Sequence, residues 1–269
     1  MEELRKTLSR SRLPFVIAGI VIGLFLIVPI LVILPVAFTH GAFLQFPPQG
    51  FTFGWFKEVL QDHAWTGPAW LSVKVALLDT VIATIAGTAA AFAVRRMGKA
   101  TSFARTIMLA PMVVPQLVLA LGLYLAYRVI HWGSDLRVLI IGQATVAIPV
   151  VFVTVSAGLV AVDPALSRAA ASLGHRWPSV LRRVELPLVK RSIAGAAIMA
   201  FALSFDESVL AYFLSPPGNP TLPVAIWQSA SQSASPAISA VSAYVMIIAV
   251  TLLAVTAVVL GGRIGRRNR

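Results

Sequence analysis

The chain has 269 residues, 58% of them hydrophobic and 12% charged. A soluble domain carries about 25% charged residues, so half that share excludes an ordinary soluble globule and points to the bilayer. The absence of cysteine excludes a disulfide framework, thiolate metal sites and thiol catalysis. A net charge of +12 raises nucleic acid as a partner only until the charges are followed along the chain.

A spanning helix needs about 20 mostly apolar residues. A short tail, 1–13, carries Arg5, Lys6, Arg10 and Arg12, and the first apolar stretch follows at 14–38. Its apolar run exceeds the roughly 7–15 residues of a signal-peptide core, so an uncleaved span is expected. The loop FPPQGFTFGWF (46–56) is aromatic and Pro-rich, which suits the headgroup level. Five further spans are expected at 68–94, 104–127, 137–161, 191–214 and 237–261. Gly87, Pro111, Pro115 and Pro149 would break soluble helices, but neighbouring helices resatisfy the backbone in a membrane. Small residues crowd AGTAAAFA (86–93) and SIAGAAIMAFA (192–202), which lets helices approach closely.

Lys and Arg set the orientation. The N-terminal tail holds four, the 95–105 loop four (Arg95, Arg96, Lys99, Arg105), the 162–191 segment six, and the C-terminal tail four. These 18 of the 22 basic residues fall on one side of a six-span chain, which must be the cytoplasm. The expectation is an all-α membrane protein: a six-helix domain over 14–262, a basic tail at 263–269, and both termini cytoplasmic. The charge is spent on topology, and no nucleic-acid partner is expected.

The segment between spans four and five, VDPALSRAAASLGHRWPSVLRRVELPL (162–188), is too long and polar for a turn. Asp163 can cap a helix with Pro164 at its first position, and Gly174 can end it. A second short helix can begin at Pro178 and should end before Pro187. The product is a helix–turn–helix on the cytoplasmic face, with Arg176, Arg182 and Arg183 on its polar side.

The spacing Ala169-Ala170-x3-Gly174-x9-Val184-x-Leu186-Pro187 resembles the EAA loop of binding-protein-dependent ABC importer permeases. That resemblance implies the type I ABC importer permease fold, with 162–190 as the coupling loop between helices 4 and 5. Ala169, Ala170, Gly174, Leu186 and Pro187 would then form the contact with a separate ATPase subunit. Arg168 stands where the family usually has Glu, so an ion pair made by that Glu is not carried over. MAFALSFDESVLAYFLSPPG (199–218), TLPVAIW (221–227) and SPAISAVS (235–242) further resemble the spermidine/putrescine-type permeases, in particular their second permease subunit. The implied substrate is a polyamine, with opines, aminophosphonates and ferric iron as alternatives among relatives. The implied partners are ATPase subunits, a second permease subunit in a heterodimer, and a periplasmic or lipid-anchored solute-binding protein. The implied location is the bacterial inner membrane.

An ionised group at the bilayer centre costs about 2.5–3.5 kcal/mol, so charges inside spans need a reason. Lys74 and Asp79 lie in span two, Asp206 and Glu207 in span five, at comparable depth. Either the acids line the path of a cationic substrate, or one of them pairs with Lys74. A proton relay through Asp79, Asp206 and Glu207 would instead mark an ion-coupled carrier, whose usual inverted repeat is not seen here. His40, His63, His131 and His175 are scattered through loops, and no metal cluster or cofactor is expected. No GxxxxGK[ST] occurs, so the chain is expected to be non-catalytic and ATP to be bound by the partner. A membrane hydrolase would need a nucleophile and base at depth, and no His or Cys lies within a span. Reporter fusions after Gly98, Gly174 and Arg269 should read cytoplasm, and those after Gln49 and Gly218 the outside. An external signal after Gly174 would overturn the six-span topology.

Overall fold

The structure is a computed structural model, and it describes residues 2–41, 43–130, 135–232 and 235–261. Every regular element among these residues is helical. In chain order they are α1 (Glu2–Val36), α2 (Gly54–Gln61), α3 (His63–Arg96), α4 (Thr101–Val113), α5 (Gln116–Val129) and α6 (Leu136–Val160). There follow α7 (Pro164–Ser172), α8 (Trp177–Val180), α9 (Leu186–Asp206), α10 (Val209–Leu214), α11 (Leu222–Gln232) and α12 (Pro236–Gly261). Four helical runs are long and apolar enough to cross a membrane alone: Val16–Val36, His63–Arg96, Leu136–Val160 and Trp177–Asp206. The bent pair α4–α5 makes a fifth, and α12 covers the sixth expected span. The C-terminal tail 263–269 and His131 lie outside the described residues.

The chain divides into two compact units, one from Met1–His63 with Gln228–Arg269 and one from Ala64–Trp227. In the first, α12 packs against α1 and α2. The helix α1 already starts at Glu2, so the expected tail is helical, and α2 interrupts what reads as a loop. Thr39 organises the connection: Gln49 N donates to its Oγ1 at 3.2 Å and Trp55 Nε1 to its carbonyl at 3.0 Å. Phe38 meets the rings of Phe51, Phe53 and Phe56, and Phe56 meets Tyr244 edge-on at 5.4 Å. Aromatic pairs of this geometry contribute about 0.5–1.5 kcal/mol beyond burial.

The second unit is built around α6. This helix is apolar on all sides, as a helix surrounded by others should be. Its partner α9 presents Ala196, Ala200 and Ser204, one turn apart on one face and all buried. Gly158 of α6 lies directly against Ser192, and Gly87 of α3 lies against Val151 and the Ile148 carbonyl. The small-residue runs therefore serve the close packing their composition implies.

Three expectations are corrected. The span placed at 104–127 is not one helix: α4 and α5 meet at 97°. Val114 is extended (φ −73°, ψ 129°), the conformation that a following proline imposes, and Pro115 has no N–H to continue the ladder. The span placed at 191–214 breaks as well, at Glu207 (φ −70°, ψ 112°). Its helix also starts earlier than expected. Rather than ending before Pro187, α8 runs through a π-turn (Leu181–Glu185) straight into α9. A proline ring clashes with the carbonyl four residues back. The wider turn, in which Leu186 N reaches Leu181 O, lets the helix pass Pro187 without that clash.

A Cβ at Gly87 would stand 2.7 Å from Val151 Cβ and 2.8 Å from Ile148 O, whereas one at Gly195 would meet nothing within 4 Å. Gly87→Ala should cost about 1–3 kcal/mol through overpacking. Gly195→Ala should be neutral or gain up to about 1 kcal/mol. Thermal unfolding of the purified chain in detergent compares the two, and equal melting would refute the close α3–α6 contact.

Candidate functional site: coupling loop and membrane charges

Local capping shapes the loop that follows α6. Asp163 Oδ1 accepts from Ala165 N at 2.8 Å, and Pro164 occupies the first turn of α7. At the other end Gly174 N donates to Ala171 O at 3.0 Å and His175 N to Ala170 O at 3.3 Å. This reciprocal pair closes the helix only if the residue after the cap is left-handed, and Gly174 has φ +83°. Ala169 and Leu173 are exposed, Ala170 is half-buried, and Arg168 points to solvent. Leu186 is half-buried and Pro187 exposed at the start of α9. Ser167 Oγ donates to Glu185 Oε1 at 2.9 Å and ties α7 to the π-turn.

The four membrane charges do not form one cluster. Lys74 is exposed, with its ammonium over the Trp70 ring at 5.2 Å from the centroid. Asp79 is fully buried among helices, and neither carboxylate oxygen has a hydrogen-bond partner. Ser204 is its polar neighbour, but that hydroxyl is turned to Gln143 Oε1 at 2.6 Å. Asp206 is exposed at the end of α9. Glu207, the next residue, is buried. Its Oε1 accepts from Leu210 N at 2.8 Å, and its Oε2 accepts from Gln116 Nε2 at 3.0 Å. It thus caps α10 and reaches the first residue of α5, joining the two broken spans. The alternative in which an acid pairs with Lys74 is not found.

Arg137 pairs with Asp135 at 2.6 Å, on the surface at the start of α6. There the Arg137 hydrogen bond holds the Asp135 carboxyl below its ordinary range. No group of His, Cys, Asp and Glu suited to a metal occurs among the described residues. Sequence reading passed over Gln116, Gln143 and Ser204, although a lone amide inside an apolar run is a visible signal.

A helical chain with interrupted spans and a capped loop between two of them has the architecture of a membrane permease. Residues 82–269 match the family described as the binding-protein-dependent transport system inner membrane component, and the chain belongs to that family. It is a multi-pass inner-membrane protein and the permease subunit of an ATP-binding cassette importer. Such permeases work with ATPase subunits and a binding protein. The putrescine transport system permease protein PotI of Escherichia coli K12 is 30% identical over 245 residues, 87% of this chain and 86% of that protein. The spermidine/putrescine permease PotC of the same strain is 25% identical, covering 85% and 87%. A putative 2-aminoethylphosphonate permease, PhnV of Salmonella paratyphi A, is 27% identical, covering 79% and 80%. A bacterial ABC transporter importing alginate shares the fold at TM-score 0.66 and 15% identity, over 94% of this chain and 97% of that one. An amino acid ABC transporter does so at 0.60 and 18%, over 77% and 98%.

Glu207→Ala strands the buried Leu210 amide, at about 1–3 kcal/mol for a buried group left unpaired, and releases the exposed Gln116 side chain. Thermal stability in detergent should fall accordingly, and adding Lys74→Met should restore nothing. Recovery with Lys74→Met would show a Lys74 pair that the geometry lacks.

Proposed function

We propose that this chain is the second permease subunit of a polyamine importer. It would form the pore with a different permease chain and receive its substrate from a periplasmic or lipid-anchored binding protein. Both termini face the cytoplasm, and the chain has no catalysis or cofactor of its own. ATP is bound and hydrolysed by the partner subunits. The observation that carries the mechanism is α7: a short, doubly capped helix with Ala169, Leu173 and Gly174 exposed. Ala169, Ala170 and Gly174 form the ATPase contact, and Leu186 and Pro187 carry its displacement into α9.

The polyamine reading rests on relatives named for putrescine and spermidine, and on the disposition of the acids. Asp206 is the carboxylate left open to a passing cation, while Glu207 is occupied by its own neighbours. Of the four charges, Asp206 is therefore assigned to the substrate path. Glu207 and Asp79 act from inside the helix packing, and Lys74 sits on the outer half of α3. The 2-aminoethylphosphonate relative supports a second reading. That molecule carries a phosphonate beside its ammonium, so an exposed Asp206 suits only one end of it, whereas a polyamine is cationic throughout, which favours the polyamine.

Gly174→Val forces a branched residue into the left-handed region, and Ala170→Asp places a charge in the contact face. Each should abolish uptake of labelled putrescine or spermidine at wild-type membrane levels. Asp206→Asn should reduce uptake about fivefold or more by weakening a desolvated charge contact, without loss of stability. Full uptake by either loop variant would remove the loop from the coupling mechanism. Full uptake by Asp206→Asn would remove that acid from the path.

A further inference from the structure

The coupling loop is held by a helix that is not its neighbour in the chain. The cytoplasmic end of α3 carries two consecutive arginines. Arg95 turns its guanidinium onto the end of α6: Nη1 donates to Leu159 O at 3.0 Å and Nη2 to Val162 O at 3.3 Å. These carbonyls belong to the last turn of α6, where Leu159 O also accepts from Val162 N at 3.2 Å, and to the start of the loop. A planar fork satisfies two of them at once and sits at the negative end of the helix dipole. Arg96 goes the other way. Its guanidinium lies over the Trp177 ring at 4.5 Å from the centroid, and Trp177 opens α8 where the loop turns back.

Neighbouring residues of α3 thus grip both ends of the 162–177 segment. Ser167 and Glu185 close the loop internally, and Glu185 is buried at that contact. A segment capped at both ends, closed on itself and gripped at two points moves as a body. The grip makes α3 move with it. α3 is a single 34-residue helix, and its load is delivered far from the loop. Midway it buries Asp79 beside Ser204 of α9, close to the break at Glu207. Nearer its start, Ser72 Oγ accepts from Leu222 N at 2.8 Å and holds the beginning of α11.

We propose that Arg95, Arg96 and Trp177 are the joint through which displacement of the coupling loop reaches α3. They are positioning residues, and the inference rests on the reading of the loop as the ATPase contact. A purely stabilising role would change melting and leave the yield of transport per ATP untouched. A joint changes that yield.

The test uses the whole importer in proteoliposomes, with ATP hydrolysis, putrescine uptake and bound ATPase subunit measured on the same preparation. Arg95→Met, Arg96→Met and Trp177→Leu should keep the ATPase bound and hydrolysing. Uptake per ATP hydrolysed should fall about tenfold, the range of a coupling lost between sites. Arg96→Lys should retain part of it, because an ammonium still sits on the indole. If Arg95→Met does not insert, Arg96→Met and Trp177→Leu decide, since both side chains are exposed.

The chain has no cysteine of its own, so Arg96→Cys with Trp177→Cys can be bridged by a short bis-maleimide. The bridge should restore the yield that the unbridged pair has lost. A normal yield in Arg96→Met and Trp177→Leu, or a bridge that restores nothing, overturns the joint. Loss of the ATPase subunit from these variants alone also overturns it, by placing the residues in the docking face. Failure of the unmodified chain to bind its ATPase would instead refute the reading of the loop.

Discussion

Inside a bilayer a backbone amide or carbonyl released from its helix finds no water, so a broken span needs partners from the protein itself. Two spans here are broken, at Val114–Pro115 and at Glu207–Ser208, and one carboxylate serves both. Glu207 accepts from the Leu210 amide, which α10 leaves free in its first turn, and from the side chain of Gln116, which begins α5. A buried carboxylate is costly without donors, and broken helices are costly without acceptors. At the α9–α10 break each offsets the other's penalty, and at Pro115 the same carboxylate holds the Gln116 side chain. The orientation of Asp206 follows: with its neighbour turned inward to the two breaks, it is left facing out at the end of α9.

Much of this was legible in the sequence, because each legible element has a local cause. Hydropathy marks the spans. Asp163, Pro164 and Gly174 mark the ends of α7, since a cap and a left-handed residue act within a turn of their own position. The breaks were not legible. Pro111 and Pro149 lie inside continuous helices, whereas Pro115 ends one, so proline alone decides nothing. What distinguishes Pro115 is an amide beside it that can reach Glu207, 91 positions along the chain. The break at Glu207 has no proline or glycine to announce it. The passage of α8 into α9 through Pro187 depends on a π-turn, which has no composition of its own.

The same geometry bears on the other functional classes open to a polytopic chain. A proton-coupled carrier needs titratable groups near enough to exchange protons along a path. Asp79 is sealed among helices, Glu207 is filled by two neutral donors, and Asp206 faces outward. Among the described residues these three acids form no chain. What the membrane interior does hold is interrupted helix lined by a few polar side chains, the arrangement in which a span can rearrange.

Arg168 is the departure from the loop pattern that matters, and the structure shows why the loop folds without the usual glutamate. The start of α7 depends on Asp163 and Pro164, and its end on the paired amides of Gly174 and His175. Its attachment to α9 runs through Ser167 and Glu185, and its surroundings are gripped by Arg95 and Arg96. Position 168 takes part in none of these contacts. Reversing its charge therefore leaves the loop's shape intact and alters only what it shows to solvent. A guanidinium offers a planar fork suited to a carboxylate, where a glutamate offers an acceptor suited to an arginine. On the proposed reading of the loop as the ATPase contact, the side chain that meets this position is matched to a positive partner, so the departure at Arg168 constrains the choice of ATPase rather than the fold of the permease.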